Sequence, residues 1–333
     1  MIRYIAHRLL WLFVVAVGMT LLTFVLTHLI PADPAKYAAG LDATADQIER
    51  VKRDLGLDRP LHEQYLIYLR NLASGDLGMS IITKRPVRDD LTDYFPATLE
   101  LALSSIVVTV LIGVPLGVIS AVRHGGLTDL LTRLFATFWV AVPVFWFGLL
   151  LQLIFYVRLG WLPIGGRIDP AFTLERVTGL LTLDAVLQGQ PAALASALHH
   201  LLLPVLALAL ARVAVVARMT RAGMLEVLSS EYIRTARAKG LRERAVLYHH
   251  ALRNAALPVL TTLGTQIGFL LGGAILVEAI FQWPGMGRYA VSSITSVDFP
   301  AIMGVALLSG IIFVLVNLLV DLAYLALDPR ISY

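Results

Sequence analysis

Apolar residues in this chain gather into runs too long for the core helices of a water-facing globule. Six runs, near 9–30, 97–121, 134–157, 199–220, 257–280 and 301–327, each supply the ~20 residues that a helix needs to cross ~30 Å of hydrocarbon. Pro115, Pro143 and Pro204 fall inside them, and membrane helices accept such prolines as kinks because neighbouring groups re-satisfy the freed carbonyls. Between the first two runs the spacing changes. Ile48, Val51 and Leu55 form one helical stripe within Asp46–Leu55. Tyr65, Leu66, Leu69 and Leu72 form another within His62–Leu72, and Pro60 separates the two. Gly75-Asp-Leu-Gly78 and Pro86 then read as turns.

The pattern predicts an all-α integral membrane protein. Six transmembrane helices carry a small helical extracytoplasmic cap, 31–96, between helices 1 and 2. Residues 1–30 are the N-terminus with helix 1, and 97–333 form the rest of the transmembrane core, including a polar loop at 221–256. The first run is 22 residues long, longer than the apolar region of a signal peptide, so it is expected to stay as a helix rather than be removed. Trp161 and Trp283 suit interfacial anchoring, and Glu100 and Glu278 also fall at run ends and are read as interfacial.

Composition agrees: 58% of the 333 residues are hydrophobic and only 15% charged, where a soluble domain carries about 25% charged residues. The sequence pI of about 9.4 points less to nucleic acid than to topology. With the N-terminus inside, the inner segments and Arg218 hold thirteen Lys/Arg against five Asp/Glu, and the outer segments hold thirteen against fifteen. The positive-inside rule therefore puts both termini in the cytoplasm.

Catalytic chemistry is not written in the chain. It has no phosphate-binding Gly-x-x-x-x-Gly-Lys-Ser/Thr loop, no His-Glu-x-x-His, no Gly-x-Ser-x-Gly and no cysteine. His199-His200 and His249-His250 are adjacent pairs, which point ~100° apart on a helix and rarely share one metal ion. No metal site is expected. Three polar residues inside the apolar runs are candidates for gating or for a structural role. Arg212 lies deep in the fourth run, and Asn317 and Asp321 stand one turn apart in the sixth.

The most informative segment is polar. Glu231-Tyr-Ile-Arg-Thr-Ala-Arg-Ala-Lys-Gly-Leu241 reads as a short helix begun by Ser230 and ended by Gly240, and a second helical run starts near Arg242. A basic loop touching anionic lipid would account for the charge. It would not account for the small residues Ala236, Ala238 and Gly240, which let a partner approach the backbone.

This segment, with His250-Ala-Leu-Arg-Asn254, resembles the ATPase-coupling loop of ABC-importer permeases in the dipeptide/oligopeptide/nickel branch. Thr235-Ala236-Arg237 with Gly240 stands where the general pattern has Glu-Ala-Ala and its glycine, with Thr235 replacing the acid. The likeness continues through Gly75-Asp-Leu-Gly78, Pro96-Ala-Thr-Leu-Glu100, Pro143-Val-Phe-Trp146, Gly160-Trp-Leu-Pro163, Glu278-Ala-Ile-Phe281 with Pro284-Gly-Met-Gly287, and Asn317-Leu-Leu-Val-Asp321 with Asp328-Pro-Arg330.

The resemblance implies a type I ABC importer permease fold in a bacterial or archaeal inner membrane. It implies a second related permease, two cytoplasmic ABC ATPases that bind ATP and Mg, an extracytoplasmic solute-binding protein, and membrane lipid as partners. This chain would hold no cofactor, bind no nucleic acid and have no ATPase site of its own. Glu231, Tyr232, Thr235, Ala236, Arg237, Ala238, Lys239, Gly240 and Leu241 would form the coupling helix, with Arg237 and Lys239 offered to acidic partner residues. Dipeptides or oligopeptides are the expected cargo, with nickel complexes or glutathione as the alternative. A self-contained carrier or channel would need coupling residues at mid-membrane or inverted repeats, which the chain does not clearly show.

Overall fold

The structure, a computed structural model, describes residues 2–29, 43–54, 56–271 and 274–327. Asp328-Pro-Arg330 and the first part of the predicted cap lie outside these. Every regular element among the described residues is helical, apart from one isolated bridge between Met79 and Pro86. Among the described residues, four helices are long and apolar enough to cross a membrane, or up to five if one bent pair counts as a single span.

In chain order, α1 is Ile2–Leu29. The short α2 (Ala45–Asp54) and α3 (Leu61–Ala73) follow close to their predicted positions. Tyr65 and Tyr68 of α3 pack their rings against Phe24 of α1 (5.2 and 6.2 Å), while Leu66, of the same predicted stripe as Tyr65, is exposed. The long α4 (Val87–Val122) begins well before the predicted apolar run and continues through Pro96 and Pro115.

The predicted third span, 134–157, is not one rod. It divides into α5 (Leu127–Ala141) and α6 (Val144–Arg158), bent by 99°. Pro143 is the physical reason. It cannot donate to the preceding turn and drives the residue before it out of the α region, and Val142 is extended at φ −76°, ψ 123°. Then come α7 (Leu181–Leu187) and α8 (Pro191–Leu228).

Beyond the polar loop helix α9 (Glu231–Ala238), α10 runs Glu243–Leu271 with Val246–Ala251 wound as a π-helix. The predicted run 257–280 thus ends early, and Ile275–Ile280 is a separate short helix, α11. Two more follow, α12 (Met286–Thr295) and α13 (Phe299–Leu327).

The central pair is α4 against α8. Gly113 and Gly117, one turn apart on α4, face Val216, Thr220 and the carbonyls of Val213 and Ala217 on α8. A Cβ at Gly117 would stand 2.6 Å from the Ala217 oxygen. Small residues at this spacing let membrane helices pack backbone to backbone, where dispersion rather than water exclusion holds them together.

At the α4 N-terminal end of the bundle, the scattered motif pieces meet in one buried hub. Glu278 (0% exposed) accepts from Thr98 Oγ1 at 2.7 Å and Arg288 N at 3.1 Å. Trp283 Nε1 donates to Ala97 O at 2.8 Å, and Arg167 lies over its ring while bonding Glu100 at 2.5 Å. Glu100, Glu278 and Trp283 are therefore not interfacial: they are 3%, 0% and 0% exposed. Both buried carboxylates and the indole N–H are thus given partners, while Arg167 Nε is buried without one. Trp161 remains 63% exposed.

Two further buried carboxylates organise loops at this end. Asp184 accepts from Thr178 N and Oγ1 (2.8 and 2.6 Å) and Gly179 N (3.0 Å). Asp298, just before α13, accepts from Ser80 Oγ (2.6 Å), Ile81 N (2.9 Å) and Ile82 N (3.2 Å), and from Ala301 N in the first turn of α13 (3.3 Å).

Candidate functional site

Helix α9 lies across the opposite end of the bundle, where α4 ends, α8 ends and α10 begins. It starts at Ser230, as the sequence suggests, because Ser230 is extended (φ −75°, ψ 150°) and Glu231 supplies the acidic first turn. The serine side chain does not cap, however. Its hydroxyl donates back to Val227 O at 2.6 Å and so ties the turn to α8. Gly240 ends the helix in the left-handed region, φ +75°, and its N–H reaches Arg237 O at 2.9 Å.

One stripe of α9 is anchored. Ile233 (0% exposed) and Ala236 (8%) join a cluster with Val118 and Ala121 of α4, Met224 of α8, and Val246, Ala251 and Ala255 of α10. Burying one isoleucine contributes ~1.5–3 kcal/mol, more than the ~0.2–1 kcal/mol of an exposed ion pair. Ile233 is therefore the principal anchor. Ala236 is turned into the chain's own helices, whereas the sequence pattern had offered it to a partner.

The other stripe faces out. Glu231, Arg234, Thr235, Ala238, Lys239 and Gly240 are exposed, and Leu241 is 43% exposed. Tyr232 is also exposed, with its hydroxyl held by Asn254 Nδ2 at 2.8 Å. Arg237 is engaged within the chain: Nη2 and Nε donate to the two carboxylate oxygens of Glu243 at 2.7 and 3.2 Å. That fork keeps the Arg237 guanidinium protonated even more firmly than usual. Arg234 and Lys239 carry the outward positive charge instead.

A second lock stands beside the first. Asp129 (1% exposed) accepts from Ser120 Oγ at 2.7 Å, Gly125 N at 3.0 Å, and Arg221 Nε and Nη2 at 2.6 and 3.0 Å. It joins the end of α4, the start of α5 and the last turns of α8. Neither this lock nor the Tyr232–Asn254 bond was expected from sequence, although Asn254 falls inside a quoted motif.

The three intramembrane candidates are not brought to α9. Arg212 sits in the middle of α8, where Nη1 donates to Leu208 O at 2.5 Å. Asn317 and Asp321 are half-buried on α13. His249 and His250 pack edge to face at 5.3 Å. Among the described residues, no group of three or more His, Asp or Glu could hold a metal ion. The arrangement suits mechanical contact: a short helix bolted to three membrane helices, with a charged outer stripe.

Comparison with known proteins follows the same lines. Residues 113–333 match the family described as binding-protein-dependent transport system inner membrane component, and residues 1–102 match its N-terminal counterpart. The chain is 44% identical over 333 residues to the dipeptide transport system permease protein DppB of Alkalihalophilus pseudofirmus, covering all of both. It is 42% identical over 333 residues, again covering all of both, to the glutathione transport system permease protein GsiC of Pectobacterium atrosepticum. A chain of the MetNI methionine ABC transporter, solved in inward-facing conformations, matches with a TM-score of 0.50 at 16% identity. That match covers 72% of this chain and 96% of the other, and it concerns the fold alone.

Proposed function

Because this chain belongs to the binding-protein-dependent transport system inner membrane component family, we propose that it forms one half of the translocation pathway of an ATP-driven importer for dipeptides or oligopeptides. It is a permease, a membrane component without an ATPase domain. Six spans, with α1 and the bent α5–α6 pair counted, fit the type I permease fold. The distribution of Lys and Arg favours α9 and both termini on the cytoplasmic side. Residues 31–96 would then form the outer cap on which a solute-binding protein lands, and a second permease and two ATPases would complete the assembly.

The observation that carries the coupling role is the burial of Ile233 and Ala236 among α4, α8 and α10. A helix fixed this way cannot move without moving three membrane helices. A neighbouring ATPase that displaces its outer stripe on closing around ATP would rock the bundle between inward- and outward-facing states. Glutathione, itself a small peptide, is the second reading, favoured by the near-equal identity of the two relatives.

The test is purification of the tagged chain from its native membrane in mild detergent, followed by mass spectrometry and uptake assays with the labelled cargoes. Recovery of a second permease and of ATPase chains, with dipeptide uptake lost on deletion, is the expected result. A chain reproducibly free of ATPase would overturn the reading. Loss of glutathione uptake alone would reassign the cargo.

A further inference from the structure

At the end of the bundle that carries α9, α5 and α8 leave a cavity of about 240 Å³ between them, lined by Thr132, Arg133, Ala136, Thr137, Arg218 and Arg221. At ~30 Å³ per water, that is room for a phosphate group and its solvent. Half the lining is arginine. Residues 132, 133, 136 and 137 recur at helical spacing and so share one face of α5, while 218 and 221 share one face of α8.

The hydrogen bonds show which groups are left for a ligand. Arg221 is committed to Asp129 through Nε and Nη2. Both threonine hydroxyls donate into their own helix, Thr132 to Thr128 O at 2.8 Å and Thr137 to Arg133 O at 3.0 Å. Arg133 is 56% exposed, and its Nε stays 3.8 Å from Asp129. Arg218 makes no hydrogen bond or ion pair among the described residues. Arg218 is therefore unengaged among the described residues, and Arg133 is held only by one long ion pair that leaves its Nη groups without a hydrogen bond, at the mouth of a cavity whose three arginines face one neighbouring acid. Guanidinium forks match the paired oxygens of phosphate.

Depth and flank choose the source of that phosphate. Arg218 precedes the end of α8 at Leu228 by about 15 Å of helix rise, and Arg133 lies in the second turn of α5. This is the level of headgroups rather than of the membrane centre. Along the adjoining face of α5, Leu130, Leu134 and Phe138 are 44%, 57% and 59% exposed. We propose that this cavity holds the phosphodiester headgroup of an anionic membrane phospholipid, with its acyl chains lying along Leu130, Leu134 and Phe138. Basic pockets between membrane helices favour such lipids. A bound lipid would wedge α5 against α8 directly beside the Asp129–Arg221 lock.

The experiment uses the purified importer reconstituted into nanodiscs of phosphatidylcholine with or without phosphatidylglycerol, with bound lipid read by native mass spectrometry. The variants are Arg133→Gln and Arg218→Gln, singly and together, which leave the Asp129–Arg221 pair intact. Wild type should retain phosphatidylglycerol over phosphatidylcholine. The double variant should lose ~10–30-fold of that preference, as two basic residues near a membrane surface supply, with its melting temperature in phosphatidylcholine unchanged. Inorganic phosphate should not displace the lipid. Equal retention by wild type and double variant would overturn the proposal. So would displacement by inorganic phosphate, which would assign the arginines to a soluble anion. If the double variant does not assemble, the single Arg218→Gln variant decides by the same two criteria.

Discussion

Asn254 Nδ2 donates to the hydroxyl of Tyr232 at 2.8 Å and to His250 O at 3.0 Å, so one amide links the first turn of α9 to the π-wound start of α10. π-helical turns concentrate at functional sites because they break the regular ladder and free backbone groups. Here the irregular turn lies directly beneath the helix that we assign to coupling.

Asn254→Ala removes this link without touching the buried Ile233 anchor. A single such bond contributes ~0.5–1.5 kcal/mol, too little to unfold α9 but enough to let it slip. Reconstituted complex should hydrolyse ATP while transporting severalfold less cargo per ATP, and Tyr232→Phe should do the same. Wild-type transport stoichiometry in both variants would remove the bond from the mechanism.

Gly240 separates two explanations for a glycine. Its φ of +75° disfavours other residues, yet among the described residues a Cβ there meets nothing within 4 Å. Gly240→Ala should cost ~1–2 kcal/mol through backbone strain alone. Gly240→Asn, which tolerates that conformation, should retain most transport if strain is the issue. If Gly240→Asn abolishes transport as completely as a bulky Gly240→Trp is expected to, the glycine is there for the close approach of another chain, and co-purification of the ATPase should fall in parallel.

Gly285→Ala tests the hub at the other end. Its Cβ would stand 2.5 Å from both Glu278 Cδ and Thr98 Oγ1, neither of which can retreat from its hydrogen bonds. Overpacking of this kind costs ~1–3 kcal/mol or more. A melting temperature clearly lower than wild type is the expected outcome. Gly18→Ala, where a Cβ meets none of the described residues within 4 Å, should be neutral or slightly stabilising.

Asp184 predicts a pH dependence. Burial by itself would raise its pKa, but hydrogen bonds from Thr178 and from the Thr178, Gly179 and Val177 backbone outweigh burial and leave it depressed. A carboxylate depressed on folding stabilises the protein at every pH above its unfolded value of ~3.9. That contribution is lost as pH falls through the lower folded value. Asp184→Asn should therefore melt below wild type at pH 7, with the gap narrowing as pH drops from ~4 downward. A constant gap across that range would show that the carboxylate's charge is irrelevant to loop 177–184.

Much of α9 was readable because its signals are local: an N-cap position, an acidic first turn and a glycine where the chain must go left-handed. Helices α2 and α3 were readable for the same reason. Depth was not readable. Glu100, Glu278 and Trp283 fall near the ends of apolar runs, and a linear scan assigns such positions to the interface. Only the packing of α4, α11 and the turn before α12 shows that each has a buried partner: Arg167 for Glu100, Thr98 for Glu278 and Ala97 O for Trp283. Pro143 carried an ambiguous signal, since a proline within an apolar run can mark either a kink or, as here, a 99° break. Ala236 was misread in its facing, because an alanine that spares room looks the same whether the neighbour is this chain or another. Gly113 and Gly117 drew no expectation from sequence, because two small residues one turn apart do not say which helix will press against them.

Asp298 has a consequence for the opposite end of the molecule. Its one carboxylate takes hydrogen bonds from Ser80, Ile81 and Ile82 and from the first turn of α13. Loop 80–82 is thus the handle of a rod 29 residues long, about 43 Å at 1.5 Å per residue. Whatever presses on that loop tilts a helix long and apolar enough to cross a membrane, so a push at one end of the bundle is delivered along the whole rod to the other.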